Sequence, residues 1–282
     1  MERFPPRLFL IGAQKAGTTS LAFLLDQHPD IAVSNPKEPG YFNANYDRGM
    51  AWYRSCFPAD LPALLVDAST GYTMAPADAS GSGEPHLAAD RIKELSPDAR
   101  FIYVLRDPVD RTISSIQHDQ RAGRLGKSPV REIVSANPFY TDVSRYFRQI
   151  APYLERFPRD RFLFIDFRDL SSDPVATFRR CVAFAGLDPS KAAPELGTPK
   201  NSAFQFNRIG RGIFRLLPGD NIADRAIRGV KRVTPPIVHR AVKSALTQPP
   251  EAVSEDDRRW ISQLFKADNA EMEALAGFRF YR

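Results

Sequence analysis

Near the start of the chain, a lysine, two glycines and three consecutive hydroxyl residues fall in one short run, Gly12-Ala13-Gln14-Lys15-Ala16-Gly17-Thr18-Thr19-Ser20. Such a set suits the binding of a phosphate-like anion. Free backbone N–H groups at a helix start point at an anion, and the helix dipole favours negative charge there. Gly17 lets the backbone approach closely. Lys15 adds a full charge, and the amides and side chains of Ala16, Gly17, Thr18, Thr19 and Ser20 add donors. The lysine precedes the second glycine, so the run lacks the Gly-Lys-Ser/Thr ending of a Walker A loop.

Two further stretches carry groups of chemical use. In Lys37-Glu38-Pro39-Gly40-Tyr41-Phe42-Asn43 a carboxylate sits in a rigid, proline-flanked loop. Glu38 could take a proton from a bound hydroxyl. Its alternative role is a solvated loop glutamate paired with Lys37. In Arg106-Asp107-Pro108-Val109-Asp110-Arg111-Thr112-Ile113-Ser114-Ser115 an arginine precedes a helix start. Arg106 would offer a bidentate fork to a phosphate dianion, and Ser114, two turns on, would point back at it. The alternative is a surface ion pair of Arg106 with Asp107 or Asp110.

The elements that must position these groups are legible around them. Leu8-Phe9-Leu10-Ile11 reads as a buried strand feeding the first loop. Leu21, Leu24 and Leu25 mark the apolar side of the following helix, with Thr18, Thr19 and Ser20 as its expected N-caps. Further strands are expected at Ile31-Ala32-Val33, Ala63 to Asp67, Phe101 to Leu105 and Arg161 to Ile165. Helices are expected over Arg48 to Phe57, His86 to Leu95, Pro108 to about His118, Asp142 to Phe157, Pro174 to Phe184 and Ser254 to Leu275. Short apolar strands alternating with helices predict an α/β fold with a parallel sheet covered on both faces. Functional groups in such sheets lie at the carboxyl ends of strands. The loops at 13–18, 67–72 and 106–107 share that edge.

Composition sets the class. The chain has 282 residues, 43% apolar and 26% charged, as in a globular protein with a full core. No apolar run approaches the ~20 residues of a membrane span, and the short apolar run after Arg7 forms the first strand, so no secretory signal is expected. Cys56 and Cys181 have no metal-like spacing and are expected as free thiols, with a single disulfide as the alternative. The four histidines give no zinc signature. His28 and His118 are read as structural or acceptor-facing. The net charge of +6 is local: residues 208–243 hold nine Lys/Arg against Asp220 and Asp224, leaving 30 basic and 31 acidic residues elsewhere. Charge confined to one segment, without a recognition motif, argues against a nucleic-acid binder.

Together, Gln14-Lys15-Ala16-Gly17-Thr18-Thr19-Ser20-Leu21, the Glu38 stretch and the Arg-Asp-Pro helix resemble the sulfotransferases that use 3′-phosphoadenosine 5′-phosphosulfate (PAPS). The likeness covers residues 7–118 well, and 161–205 and the terminal helix loosely. It implies a P-loop NTPase-like parallel sheet flanked by helices, the sulfotransferase fold, as a single domain over 1–282, with a basic helical segment at 208–246 packed on or beside it. It implies PAPS as cofactor, adenosine 3′,5′-bisphosphate as its product, and no metal. By the family pattern the first loop holds the 5′-phosphosulfate with Lys15 on the leaving oxygen, Arg106 and Ser114 hold the 3′-phosphate, and Glu38 is the general base. A loop bearing Lys200, Asn201 and Ser202, with Arg208 or Arg211, would close over the nucleotide.

One departure stands out. Heparan-type relatives carry a second lysine just after the third strand, where this chain has Ala68; Lys37 and Arg48 are the candidates for a replacement charge. The expected acceptor is a small molecule, glycan or glycolipid, with peripheral membrane contact through 208–243 and a cytoplasmic location. The rival readings are a nucleotide kinase or NTPase of the same fold, with Asp67 or Asp166 on magnesium, and an inactive binding protein.

Overall fold

The run Leu8–Gly12 is buried along its whole length and forms β1, the central strand of a five-stranded parallel sheet. The computed structural model describes residues 4–60, 62–75, 84–126, 128–196 and 252–280, with the backbone of 205–206 and 247–248. The other strands of the sheet are β2 Ile31–Val33, β3 Leu64–Asp67, β4 Arg100–Leu105 and β5 Phe162–Asp166, in the order β2-β3-β1-β4-β5. Their near-continuous apolar character follows from burial on both faces. Register aligns Phe9 with Phe101 and Phe101 with Phe162. The three rings stack across one face, with centroids 5.7 and 5.0 Å apart. Beyond this sheet, Gln205–Phe206 (β6) and Thr247–Gln248 (β7) pair antiparallel.

Because all five strands run the same way, the exits of β1, β3 and β4 lie on one edge. At that edge Gly12 ends β1 under the ring of Tyr103. A Cβ there would stand 2.2 Å from the ring and 2.6 Å from the Thr73 hydroxyl. The exit of β1 leads to α1 Thr18–Leu25. The exit of β3 leads to a 3-10 turn at Thr70–Thr73, and that of β4 to α4 Pro108–Arg121. Between them lie α2 Gly49–Ser55 and α3 Glu84–Leu95, and after them α5 Val130–Ala136.

The structure corrects three expectations. Thr18, Thr19 and Ser20 do not cap α1: Gly17 is the N-cap, with φ 84°, and no side chain bonds there. The left-handed glycine turns the chain into the helix by itself, leaving the hydroxyls on its first turn. The helix expected over 142–157 begins only at α7 Tyr146–Leu154, after a break that follows a separate short helix, α6 Phe139–Asp142. The buried Arg111 takes the Ser144 hydroxyl and the Tyr140 carbonyl as acceptors, both at the break. The terminal helix is two, Glu255–Gln263 and Lys266–Ala276, with Ser254 capping the first through the Asp257 amide. Ile261 and Phe265 pack against Val109 and Ile113, whereas Met272 joins the main core. Two packing sites require a change of direction between them.

The remaining helices are α8 Phe167–Ser172 and α9 Pro174–Phe184. Cys56 and Cys181 are free and buried. Lys200, Asn201, Ser202, Arg208, Arg211 and the basic segment 208–246 lie outside the described residues. Among the described residues no helix is long and apolar enough to cross a membrane.

Candidate active site

The first loop presents a narrower cradle than the sequence implied. The Ala16 amide donates to the Ala13 carbonyl and the Ser20 amide to the Gly17 carbonyl. The amides of Gly17, Thr18 and Thr19 have no acceptor among the described residues. The amides left open at this helix start are therefore those of 17–19, whereas the amides at both ends of 16–20 are engaged within the loop. Thr19 and Ser20 are exposed beside it. Lys15 is held in the left-handed region, φ 69°. Burial, and then the positive field of Arg121, push its ammonium down to about 8, with Asp119 opposing and Arg106 and Arg111 reinforcing the fall. A cation partly desolvated among cations is poised to gain from an incoming anion.

Arg106 is fixed to this loop rather than to an acid. Its Nη1 donates to the Lys15 carbonyl at 3.1 Å, and its guanidinium lies over the Phe167 ring at 4.9 Å. The Tyr146 hydroxyl donates to the Arg106 carbonyl at 2.8 Å. The alternative partners are taken: Asp107 caps α4 through the Asp110 amide, and Asp110 pairs with Arg258. The Nε of Arg106 is buried with no partner among the described residues. An unfilled donor and three free amides fit a ligand with two anionic groups.

Ser114 is half-buried on α4. The next residue, Ser115, reaches the Gln14 side chain at 3.5 Å. Ser114, His118 and Arg121 follow at i, i+4 and i+7, on one stripe of the helix. Arg121 donates to His118 Nδ1 at 3.0 Å. Burial, then Lys15 and Arg121, push the His118 imidazole down to about 4, so it is neutral near pH 7. His28 is structural: its Nε2 meets the Asp188 carbonyl and its Nδ1 accepts the Asp30 amide.

Glu38 stands at the neighbouring loop, also in the left-handed region, φ 67°. Its own amide donates to the Ala68 carbonyl at 3.0 Å. Its carboxylate accepts the Thr70 amide at 2.6 Å and the Thr70 hydroxyl at 3.2 and 3.3 Å. Lys37 pairs with it directly. The side chain remains 42% exposed, so an acceptor can reach it. The bland pairing with Lys37 is thus present, together with anchoring that a merely solvated glutamate would lack. Arg48 lies over the Trp52 ring, 4.0 Å from its centroid. Of the two candidates for the charge missing at Ala68, Lys37 is the one beside Glu38.

Thr70 and Phe167 were not singled out from sequence. Thr70 falls in the 67–72 loop already placed at the functional edge, which was the available signal; nothing in the sequence marked Phe167. The two candidate magnesium acids are engaged otherwise. Asp67 accepts three hydroxyls, and Asp166 binds the amide and guanidinium of Arg168.

Comparison with known proteins gives the family. Residues 5–207 match the family model described as the sulfotransferase domain. Heparan sulfate glucosamine 3-O-sulfotransferase 3B1 of Mus musculus is 29% identical over 192 residues, 64% of this chain and 46% of that protein. Heparan sulfate glucosamine 3-O-sulfotransferase 6 of Homo sapiens is 32% identical over 197 residues, 66% of this chain and 53% of that protein. The chain thus spans about half the length of these curated relatives. Among solved structures, a sulfotransferase from Alicyclobacillus acidocaldarius superposes with a TM-score of 0.69 at 23% identity, covering 98% of this chain and 97% of that one. That likeness speaks to the fold.

Proposed function

This chain belongs to the sulfotransferase family, and from that premise we propose that it moves a sulfuryl group from PAPS to a hydroxyl or amine of a glycan acceptor. One observation carries the reading. An anion cradle at Gly17–Thr19 with Lys15, an arginine bonded to that cradle, and an anchored carboxylate open onto one sheet edge. PAPS has two anionic groups, and its activated sulfuryl group is the one transferred.

Gly17, Thr18, Thr19 and Lys15 would hold the 5′-phosphosulfate, with the hydroxyls of Thr18, Thr19 and Ser20 as further donors. Arg106 and Ser114 would hold the 3′-phosphate, and Lys200, Asn201 and Ser202 would close over the nucleotide. Glu38 would accept the proton of the acceptor hydroxyl as its oxygen bonds to sulfur. Lys15 would neutralise the bridging oxygen as the sulfur–oxygen bond breaks and the electron pair stays with the nucleotide. Sulfuryl transfer, like phosphoryl transfer, asks chiefly for positioning and charge stabilisation.

Three finer points belong to the same reading. The domain extends over 1–282, and the basic stretch 208–243 draws an anionic or membrane-embedded glycolipid acceptor to it by its field. Replacing Arg228, Lys231 and Arg232 with Glu should raise the acceptor KM and weaken sedimentation with anionic liposomes, leaving PAPS affinity unchanged. Two free thiols suit a cytoplasmic setting.

The test is incubation with sulfur-labelled PAPS, without magnesium, and a panel of desulfated glycosaminoglycan chains, neutral glycans and glycolipids. Label should enter one acceptor class and release adenosine 3′,5′-bisphosphate. Transfer of phosphate from Mg-ATP instead would refute the reading.

A further inference from the structure

We infer that Asp67 is a positioning residue for Glu38, acting by fixing the direction of two hydroxyls that hold the Glu38 loop. The inference rests on the role of Glu38 given above. Asp67 ends β3 and is fully buried. Among the described residues no cation pairs with it. Its Oδ1 accepts the Ser69 hydroxyl at 2.6 Å. Its Oδ2 accepts Tyr53 at 2.7 Å and Tyr72 at 2.8 Å. A buried carboxylate without a cation is costly, and an apolar residue would sit there more cheaply. The arrangement therefore calls for a reason.

The hydrogen-bond pattern supplies it. Alternate residues of the Glu38 loop donate their amides to the β3 exit. Glu38 bonds the Ala68 carbonyl, Gly40 the Ser69 hydroxyl at 3.0 Å, and Phe42 the Tyr72 hydroxyl at 3.3 Å. A hydroxyl accepts such an amide only with its proton turned elsewhere. Asp67, purely an acceptor, draws both protons inward and leaves both oxygens facing the loop. Two of the three backbone anchors of Glu38 and its neighbours thus depend on one negative charge. Tyr53 extends the knot to α2.

Asp67→Asn keeps the shape and reverses half the polarity. Its NH2 must donate to Ser69 or to the tyrosines. The hydroxyl so bonded then has to turn its proton, and one loop amide meets a competing donor. A neutral, protonated Asp67 does the same in the native protein. Burial, more than Glu38, lifts its carboxyl to about 6 against the hydroxyl bonds from Ser69, Tyr53 and Tyr72. The other groups facing it are Cys56 at the end of α2 and Tyr153 on α7.

The experiment compares wild type, Asp67→Asn, Ser69→Ala and Ser69→Thr by hydrogen exchange of segment 38–42 and by kinetics with labelled PAPS and the acceptor wild type uses. Asp67→Asn should lose protection at Gly40 and Phe42 and fall roughly 10- to 100-fold in kcat, the scale of a misplacement near 1 Å. Its KM for PAPS should be unchanged. Wild-type kcat should decline below about pH 6, and this acid limb should vanish in the variant. Ser69→Ala should lose protection at Gly40 alone, and Ser69→Thr should restore it along with kcat. Should Asp67→Asn not fold, the Ser69 pair decides. Wild-type exchange and kcat in the folded Asp67→Asn protein, or in Ser69→Ala, would overturn the inference. An inactive wild type with the exchange pattern as expected would fault the reading of Glu38, not the hydrogen-bond chain.

Discussion

The Arg106 guanidinium donates to the backbone carbonyl of Lys15 at 3.1 Å, across 91 residues of sequence. The loop that would cradle one anion and the arginine that would take another are therefore joined directly. An arginine can hold the carbonyl with one nitrogen and still offer others to a phosphate, which a lysine cannot. The Phe167 ring packs against the same guanidinium. Arg106→Lys should accordingly behave almost as poorly as Arg106→Ala in nucleotide affinity, losing on the order of 10-fold or more, as charge-assisted hydrogen bonds are worth about 1.5–3 kcal/mol. Isothermal titration of the two variants with adenosine 3′,5′-bisphosphate checks this.

Lys15 gives a proton signature. Its native pKa is lowered to about 8. The unfolded chain keeps the ordinary, higher lysine value, so between the two values it binds more protons than the native state. Stability of the free protein should therefore rise with pH through that window. An anion on the cradle reverses the shift, so binding of adenosine 3′,5′-bisphosphate at pH 8 to 9 should take up a proton. Calorimetry in two buffers of different ionisation enthalpy measures the uptake, and Lys15→Ala should abolish it.

Gly17 is required by conformation and by space. At φ 84°, a Cβ would meet Leu170 at 3.0 Å and Phe167 at 3.1 Å. Gly17→Ala should cost about 1–3 kcal/mol of stability, as a strained left-handed residue does, and weaken nucleotide binding by displacing Phe167. Gly12→Ala should be worse, since the Tyr103 ring is inside contact distance at 2.2 Å. Chemical denaturation of the pair ranks them.

Glu38 and Thr70 separate chemistry from placement. Glu38→Gln keeps the shape and the Thr70 contacts but cannot take a proton, so turnover should fall roughly 100- to 10,000-fold with the fold intact. Thr70→Val removes the hydroxyl and spares the amide bond, a loss of about 1 kcal/mol, or roughly fivefold. Steady-state rates with unfolding curves test both.

The strand ends and the three chemical loops were legible because they are local: apolar runs of strand length, a glycine-flanked lysine, Pro108 at a helix start. The broken helix at 143–145 was not, because its cause is Arg111, more than thirty residues earlier, competing for the Tyr140 carbonyl. The capping of α1 was misread because hydroxyl residues on a first turn look alike whether they cap or wait for a ligand; only the φ of Gly17 decides. Asp67 passed as a candidate metal acid because sequence shows a carboxylate after an apolar strand and not the three hydroxyls that meet it. Phe167 carries no signature at all, since its role is a ring face under Arg106.

The central claim, that this sheet edge reads a nucleotide carrying a 3′-phosphate, is tested most directly by equilibrium binding. Wild type and Arg106→Ala should be titrated with adenosine 3′,5′-bisphosphate, adenosine 5′-monophosphate and Mg-ATP. Wild type should bind the bisphosphate without magnesium at least about 10-fold tighter than the monophosphate, a difference of about 1.4 kcal/mol. Arg106→Ala should bind the two alike. Mg-ATP binding as tightly as the bisphosphate, or discrimination surviving in Arg106→Ala, would contradict it.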